Sequence, residues 1–342
     1  MNDQRNPMAA VSQTRPSGGA PRWLLVGTGD IVRKRVAPAL ASRLAGVCGG
    51  RERAAALAQQ HGAAEVFVDL ETALRETTAE AVYVATQVDR HRPEALAAIA
   101  AGKHVLIEKP LALSGDDAQQ ICAAAGAAGV TAGCAFYRRL FPRYADLQRL
   151  VQSGALGQIV MVRTCNWSWF RPGAEDPKLW RVQPARSGGG PLADMGSHLL
   201  DLIVGLFGVP ERVFARCNTL AHDYAVEDTA SVIMTMPGGA HATASIAWSS
   251  KTWRHEFEVI GTEGKVLWAP GDSGPVTLTI GRDVQELDLP NADNVHQPLV
   301  DDFEAAVASS RPPAVPLAAA VATNRLLDAI YESSQARREV EV

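Results

Sequence analysis

The chain has 342 residues, 47% hydrophobic and 20% charged, which is enough apolar material for two cores. Its net charge of -4 and lack of a Lys/Arg-rich block exclude a basic field for nucleic acid, and no uninterrupted apolar stretch is long enough to span a membrane. Cys48, Cys122, Cys134, Cys165 and Cys217 are scattered and form no C-x-x-C pair, so reduced thiols, a cytoplasmic setting and no metal site are expected.

Residues 1–20 are rich in polar residues, Pro and Gly and read as a disordered leader, not a signal peptide. The apolar run Trp23 to Val26 then stops at Gly27-Thr28-Gly29, and Ile31, Val32, Val36, Leu40 and Leu44 follow at helical intervals. Strand, glycine turn and helix in that order suit a pyrophosphate, because the turn's backbone can approach it and the helix start offers free N–H groups. Val32 stands where the third glycine of the dinucleotide fingerprint would be, so an ordinary tight turn competes with this reading. Further short apolar strands follow at Ala45 to Cys48, Glu65 to Val68, Ala81 to Ala85 and His104 to Ile107, with helical segments between them. Such alternation predicts an α/β domain with a doubly wound parallel sheet over residues 21–136.

The tip of the second strand bears on the cofactor. An NAD site usually carries a carboxylate there for the ribose, whereas this chain reads Cys48-Gly49-Gly50-Arg51-Glu52-Arg53. Two guanidinium groups within one turn can grip a 2'-phosphate, so NADP(H) is expected over NAD(H), with Gly49, Arg51 and Arg53 at the contact. The alternative leaves both arginines solvated and gives Glu52 to the ribose. The fifth strand delivers Glu108-Lys109-Pro110 at its carboxyl end, where open α/β sheets bind ligands. Pro110 restricts Lys109 to extended geometry and aims its ammonium out of the strand tip.

Beyond about Gly133 the pattern changes. Tyr137 leads into a helix from Arg143 to Ser153, followed by alternating runs at Ile159 to Trp169, Arg212 to Thr219, Ser231 to Met236, His241 to Trp248 and Glu256 to Ile260. These predict a mostly antiparallel open-faced sheet in a second α/β domain, residues 137–320. Trp167, Trp169, Trp248 and Trp253 suggest that its outer face is not simply wet, and a homodimer or homotetramer through that face is expected. Residues 321–342 are expected to pack back on the first domain.

The stretch Gly188-Gly189-Gly190-Pro191 breaks the chain before a helix starting near Leu192 or Ala193. Asp194, His198 and Asp201 then fall at i, i+4 and i+7 and are expected on one face, with leucines and Ile203 behind them. A carboxylate and an imidazole one turn apart make a rigidly held acid/base pair, while a capping Asp and a satisfied core His are the plainer alternative.

Taken together, Gly27-Thr28-Gly29, Thr86 with His91, Lys103-His104-Val105-x-x-Glu108-Lys109-Pro110-Leu111 and Gly188-Gly189-Gly190-x-x-x-Asp194-x-Gly196-x-His198-x-x-Asp201 resemble the glucose-fructose oxidoreductase, inositol dehydrogenase and rhizopine-catabolism (Gfo/Idh/MocA) family. The resemblance implies a Rossmann domain followed by the open-faced domain, with nicotinamide in the cleft between them. It implies Lys109, Asp194 and His198 as the catalytic trio, Gly27, Thr28, Gly29, Asp30 and Ile31 at the pyrophosphate turn, and Thr86, His91, Glu108 and Lys109 as further cofactor contacts. The expected reaction moves a hydride between NADP(H) and a sugar, cyclitol or related polyol. His198 exchanges the hydroxyl proton, Asp194 orients the imidazole or bonds the substrate, and Lys109 stabilises charge on the oxygen. Tyr137, Trp180 and Arg181 are expected to contact substrate hydroxyls. A non-catalytic nucleotide sensor and an enzyme shuttling hydride between two substrates on a retained cofactor are the rival readings.

Overall fold

The computed structural model describes residues 19–342, so all but the last two positions of the expected leader lie outside the described residues. Six parallel strands form the first sheet: β1 (Trp23–Val26), β2 (Leu44–Cys48), β3 (Glu65–Phe67), β4 (Ala81–Val84), β5 (His104–Ile107) and β6 (Ala132–Cys134). Their spatial order is β3-β2-β1-β4-β5-β6, which reverses direction at β1 and opens a crevice beyond the strand tips there. Strands β1, β2 and β4 are buried at every residue, as a sheet covered by helices on both faces requires. Strand β6 went unread in the sequence because Ala132-Gly133-Cys134 has neither alternation nor bulk. At Gly133 an added Cβ would stand 3.0 Å from the Val315 carbonyl and 3.2 Å from Pro313, so the small residue admits the segment that leads into the last helix.

The second sheet has nine strands. They are β7 (Ile159–Trp169), β8 (Arg212–Asn218), β9 (Thr229–Thr235), β10 (His241–Ala247), β11 (Ser249–Gly261), β12 (Gly264–Trp268), β13 (Val276–Ile280), β14 (Asp283–Leu287) and β15 (Val340–Glu341). Their order is β14-β13-β12-β11-β7-β10-β9-β8-β15, with β7 and β10 parallel and the other pairs antiparallel. Alternation decides the faces: Ala230, Val232 and Met234 of β9 are buried, while Ser231 and Ile233 point outward. The buried face packs against helices Pro142–Gln152, Ser197–Phe207 and Leu317–Ala336. Each large aliphatic side chain fully removed from water there contributes roughly 1.5–3 kcal/mol.

Helix Leu317–Ala336 belongs to both halves. Leu317, Ala320 and Val321 join the core of the parallel sheet, whereas Leu326, Leu327, Ala329 and Ile330 join that of the second sheet. It runs without a break through position 320, where the sequence reading set a boundary, because both cores bury successive turns of it. The outer face of the second sheet carries a groove of about 370 Å³ lined by Trp167, Phe214 and Ile233, with Arg254 over the Trp167 ring and Arg216 over Phe214. Trp169 and Trp253 are 42% and 57% exposed. Trp248 is a correction: it is buried beside Val182 and Val226 and adds nothing to that face. Among the described residues no helix is long and apolar enough to cross a membrane, and no cluster of metal-ligating side chains occurs.

Candidate active site

The glycine turn after β1 is tight. Gly27 has φ 117°, and a Cβ there would lie 2.4 Å from the Ala85 carbonyl, so only glycine keeps β1 and β4 together at their tips. Gly29 is the opposite case, with nothing within 4 Å of a Cβ, so its backbone faces open space. The helix that follows makes its first internal bond from the Arg33 amide to the Gly29 carbonyl at 3.1 Å, which leaves the amides of Asp30, Ile31 and Val32 at a helix start. That arrangement fits a pyrophosphate. The Asp30 carboxylate is held by Arg33 and Lys34, both at 2.9 Å, so Asp30 offers its backbone and not its side chain. Val32 is fully buried and packs the helix onto the sheet, which accounts for a valine in place of a third glycine.

At the tip of β2, the Thr28 methyl lies 2.6 Å from where a Cβ on Gly49 would be, so the two tips pack directly. Arg51 and Arg53 are exposed at the start of helix Arg51–His61, and the Arg53 guanidinium folds back toward Gly50. Neither makes an ion pair among the described residues, and both remain available to an anion. Their setting fits a 2'-phosphate.

A cavity of about 220 Å³ lies at the junction of the two halves. Ile31, Thr86, His91, Glu108, Lys109, Tyr137, Trp180, Arg181, Asp194 and His198 all line it, from both domains. Lys109 leaves the tip of β5 before a cis peptide bond to Pro110. Its Nζ donates to Asp194 Oδ1 at 3.0 Å and to the Asp194 carbonyl at 2.7 Å. Arg181 donates to the other Asp194 oxygen. Burial alone would raise the Asp194 pKa, but the adjacent Lys109 and Arg181 charges hold it well below the usual carboxylate range.

His198 is 3% exposed and sits edge-on to the Phe136 and Tyr137 rings, at centroid distances of 5.9 and 5.0 Å. Burial first, then the positive charges of Lys109 and Arg138, push its pKa well below 6.5 and keep the imidazole neutral. Its Nδ1 has no hydrogen-bond partner among the described residues.

The expected acid/base contact between Asp194 and His198 is absent, because Leu192–Gly196 is wound as a π-turn before the α-helix starts at Ser197. A wider turn breaks the i, i+4 stacking, and the Asp194 carboxylate swings to Lys109 and Arg181. Asp201 is also displaced from the expected shared face. It is fully buried, held by Arg139 Nε at 2.8 Å and Nη2 at 2.7 Å with Thr323 behind, and it anchors the helix outside the cavity.

Two expected cofactor contacts have other duties. His91 is 1% exposed, with Nδ1 3.0 Å from the Pro110 carbonyl and Nε2 3.4 Å from that of Thr86, so it braces the loops after β4 and β5. Glu108 accepts from Tyr83 at 3.0 Å and the Lys109 amide at 3.2 Å, and its Oε1 lies 3.2 Å from His296 Nε2. Burial, the largest single influence, would raise its pKa, and the His296, Lys109 and Tyr83 contacts together lower it. Thr86 donates to the buried Glu94 at 2.5 Å. His296, Arg138 and Met195 also line the cavity and were missed in the sequence. His296 lies far along the chain in a loop with no motif, and its ring lies tilted against that of Tyr137, with centroids 4.8 Å apart. Arg138 is buried against Asp272 at 2.6 Å, and only its place beside Tyr137 hinted at it.

Comparison with known proteins agrees with this fold. Residues 21–136 match the family described as "Oxidoreductase family, NAD-binding Rossmann fold", and residues 144–267 match the "GFO/IDH/MocA C-terminal domain". A "1,5-anhydro-D-fructose reductase" of Ensifer adhaerens is 29% identical over 296 residues, covering 84% of this chain and 88% of the relative. A "D-xylose 1-dehydrogenase (NADP(+)) 2" of Haloferax volcanii is 30% identical over 330 residues, covering 93% and 98%. The crystal structure of an aldose-aldose oxidoreductase from Caulobacter crescentus, complexed with glycerol, superposes with a TM-score of 0.86 at 27% identity, covering 94% of this chain and 99% of that one. With both domains matched and a site assembled at their junction, the chain is an NAD(P)-dependent oxidoreductase of the Gfo/Idh/MocA family.

Proposed function

We propose that the enzyme transfers a hydride between NADP(H) and a carbinol or carbonyl carbon of a sugar, cyclitol or related polyol, with Lys109, Asp194 and His198 as the reacting-site groups. The observation that carries the reading is the meeting of Lys109 from the parallel sheet with Asp194 and His198 from the second domain in one cavity, Lys109 and Asp194 being 3.0 Å apart. The nicotinamide, when bound, supplies the hydride or accepts it. His198, neutral and buried, takes the hydroxyl proton in oxidation and returns one in reduction. Lys109 holds its ammonium against the substrate oxygen as charge develops there. Asp194 fixes the Lys109 and Arg181 side chains, a role distinct from both expected ones, orienting the imidazole or bonding the substrate. Tyr137, Trp180 and Arg181 serve as substrate contacts, the indole offering an apolar face to a sugar ring.

The exposed Arg51 and Arg53 at the β2 tip, without an ion-pair partner among the described residues, support NADP(H), with Gly49, Thr28, Gly29 and the Asp30 and Ile31 amides completing the cofactor contacts. The exposed Ile233 and the ringed groove on the outer sheet face support a homo-oligomer. Sugars are favoured as the substrate class by the names of the Ensifer and Haloferax relatives. The test is a panel of D-xylose, D-glucose, myo-inositol and 1,5-anhydro-D-fructose with each nicotinamide cofactor, followed by reduced-nicotinamide absorbance. Turnover of a sugar or polyol with a lower Michaelis constant for the NADP(H) form is expected, whereas a preference for NAD(H) would overturn the cofactor assignment.

A second reading, hydride shuttling between two sugars on a retained cofactor, draws on the likeness to the aldose-aldose oxidoreductase. Purified protein showing nicotinamide absorbance without added cofactor would favour it.

A further inference from the structure

The turn that starts the Asp194 helix is gripped from two directions by groups that do not line the cavity. Glu227, in the loop before β9, is 9% exposed and sends its carboxylate across to the glycine turn. The Gly190 amide donates to its Oε2 at 2.9 Å and the Leu192 amide to its Oε1 at 3.1 Å. The Tyr331 hydroxyl, from helix Leu317–Ala336, donates to Oε1 at 3.0 Å.

The chain around this carboxylate is pared to fit it. A Cβ on Gly190 would stand 2.0 Å from the Glu227 carbonyl, and one on Gly189 would stand 1.9 Å from the Tyr331 hydroxyl. The glycines thus let a strand loop and the last long helix close on the turn at once. A helix start leaves amides without internal partners, and a negative charge there is favoured by the helix dipole. Here that charge comes from a residue 37 positions away in the chain.

The consequence reaches the reacting groups. The Asp194 amide bonds the Gly190 carbonyl at 3.0 Å, so the gripped turn sets where the Asp194 carboxylate stands, and Asp194 in turn holds Lys109. We propose that Glu227, held by Tyr331, is a positioning residue for the reaction: it fixes the Gly189–Leu192 turn and through it the Asp194–Lys109 pair. The inference rests on the role given to that pair under the proposed function.

The test compares Glu227→Gln, Tyr331→Phe and Asp194→Asn in the full chain, with the sugar and cofactor pair from the panel that the wild type turns over fastest. The readouts are kcat, KM, the NADPH dissociation constant by fluorescence and the folded state by circular dichroism. Glutamine keeps the shape but turns an N–H₂ toward a backbone donor, so kcat should fall about tenfold or more, with KM and NADPH affinity changed less than about twofold. Tyr331→Phe keeps the carboxylate and should lower kcat by about two- to fivefold, and it decides the matter if Glu227→Gln does not fold. Folded variants at Glu227 and Tyr331 with wild-type kcat, beside an impaired Asp194→Asn, would overturn the positioning role alone, even if their melting temperatures fell. Wild-type kcat in Asp194→Asn would overturn the reading of the site and the positioning role with it.

Discussion

His198 is an imidazole that the fold keeps uncharged. Its pKa lies below 6.5 because burial removes water from the ring and Lys109 and Arg138 add positive charge around it. Protonation would remove the base, so the acidic limb of kcat/KM for alcohol oxidation should lie below pH 6.5, and a limb above that value would contradict the assignment. His255 bears on stability in the same sense. It is buried near Arg138, Arg143 and Asp272, and burial, then Arg138, brings its pKa down to about 4. The unfolded chain therefore binds a proton that the folded chain refuses between pH 6.5 and about 4. Stability from this group is complete above that window and drains away as pH falls through it, by up to about 3 kcal/mol. Denaturant melts at pH 7 and pH 5 should show that loss shrinking in His255→Asn.

At the scale of elements, a π-turn decides what the Asp194 helix can do. The glycine run and the leucine spacing made the helix readable, because both are local signals. The turn's winding was not readable, since no residue from Leu192 to Gly196 announces a π-turn. The spacing therefore places Asp194 and His198 on one helix, and of the two roles it leaves to Asp194, orienting the imidazole or bonding the substrate, the winding of the turn removes the first. Glu108 and His91 could be read as ends of strand and helix motifs, while their bonds to His296 and Pro110 depend on packing between distant segments. Strands β12 to β14 are harder to read: Val266-Leu267-Trp268 in β12 is apolar without alternation, and β14 is exposed at four of its five residues, whereas Val276-Thr277-Leu278-Thr279-Ile280 in β13 does alternate and carries a strand signal the sequence reading lacks. The Asp201–Arg139 pair gives this scale its own prediction. Removing one partner of a buried, bidentate pair leaves a charge without compensation, so Arg139→Met should destabilise the folded chain by about 3–5 kcal/mol in denaturant titrations. A loss under about 1 kcal/mol would show that the pair does not anchor the helix.

At the scale of the whole molecule, two sheets and one shared helix bring a strand tip and a helix start together. The proposed contacts to a 2'-phosphate, Arg51 and Arg53, both lie in the first domain. Replacing both Arg51 and Arg53 with Ala should raise the Michaelis constant for NADPH about tenfold or more and leave that for NADH nearly unchanged. Equal effects on both cofactors would show that the arginines do not read the 2'-phosphate. The proposed reacting end draws on both domains, because Lys109 and His198 come from different ones and line one cavity. The most direct measurement is therefore kcat for Lys109→Met and for His198→Ala, paired with the NADPH dissociation constant of each. Each variant should lose about 10²-fold or more in kcat while binding NADPH nearly as the wild type does. Wild-type kcat in either variant would contradict the account.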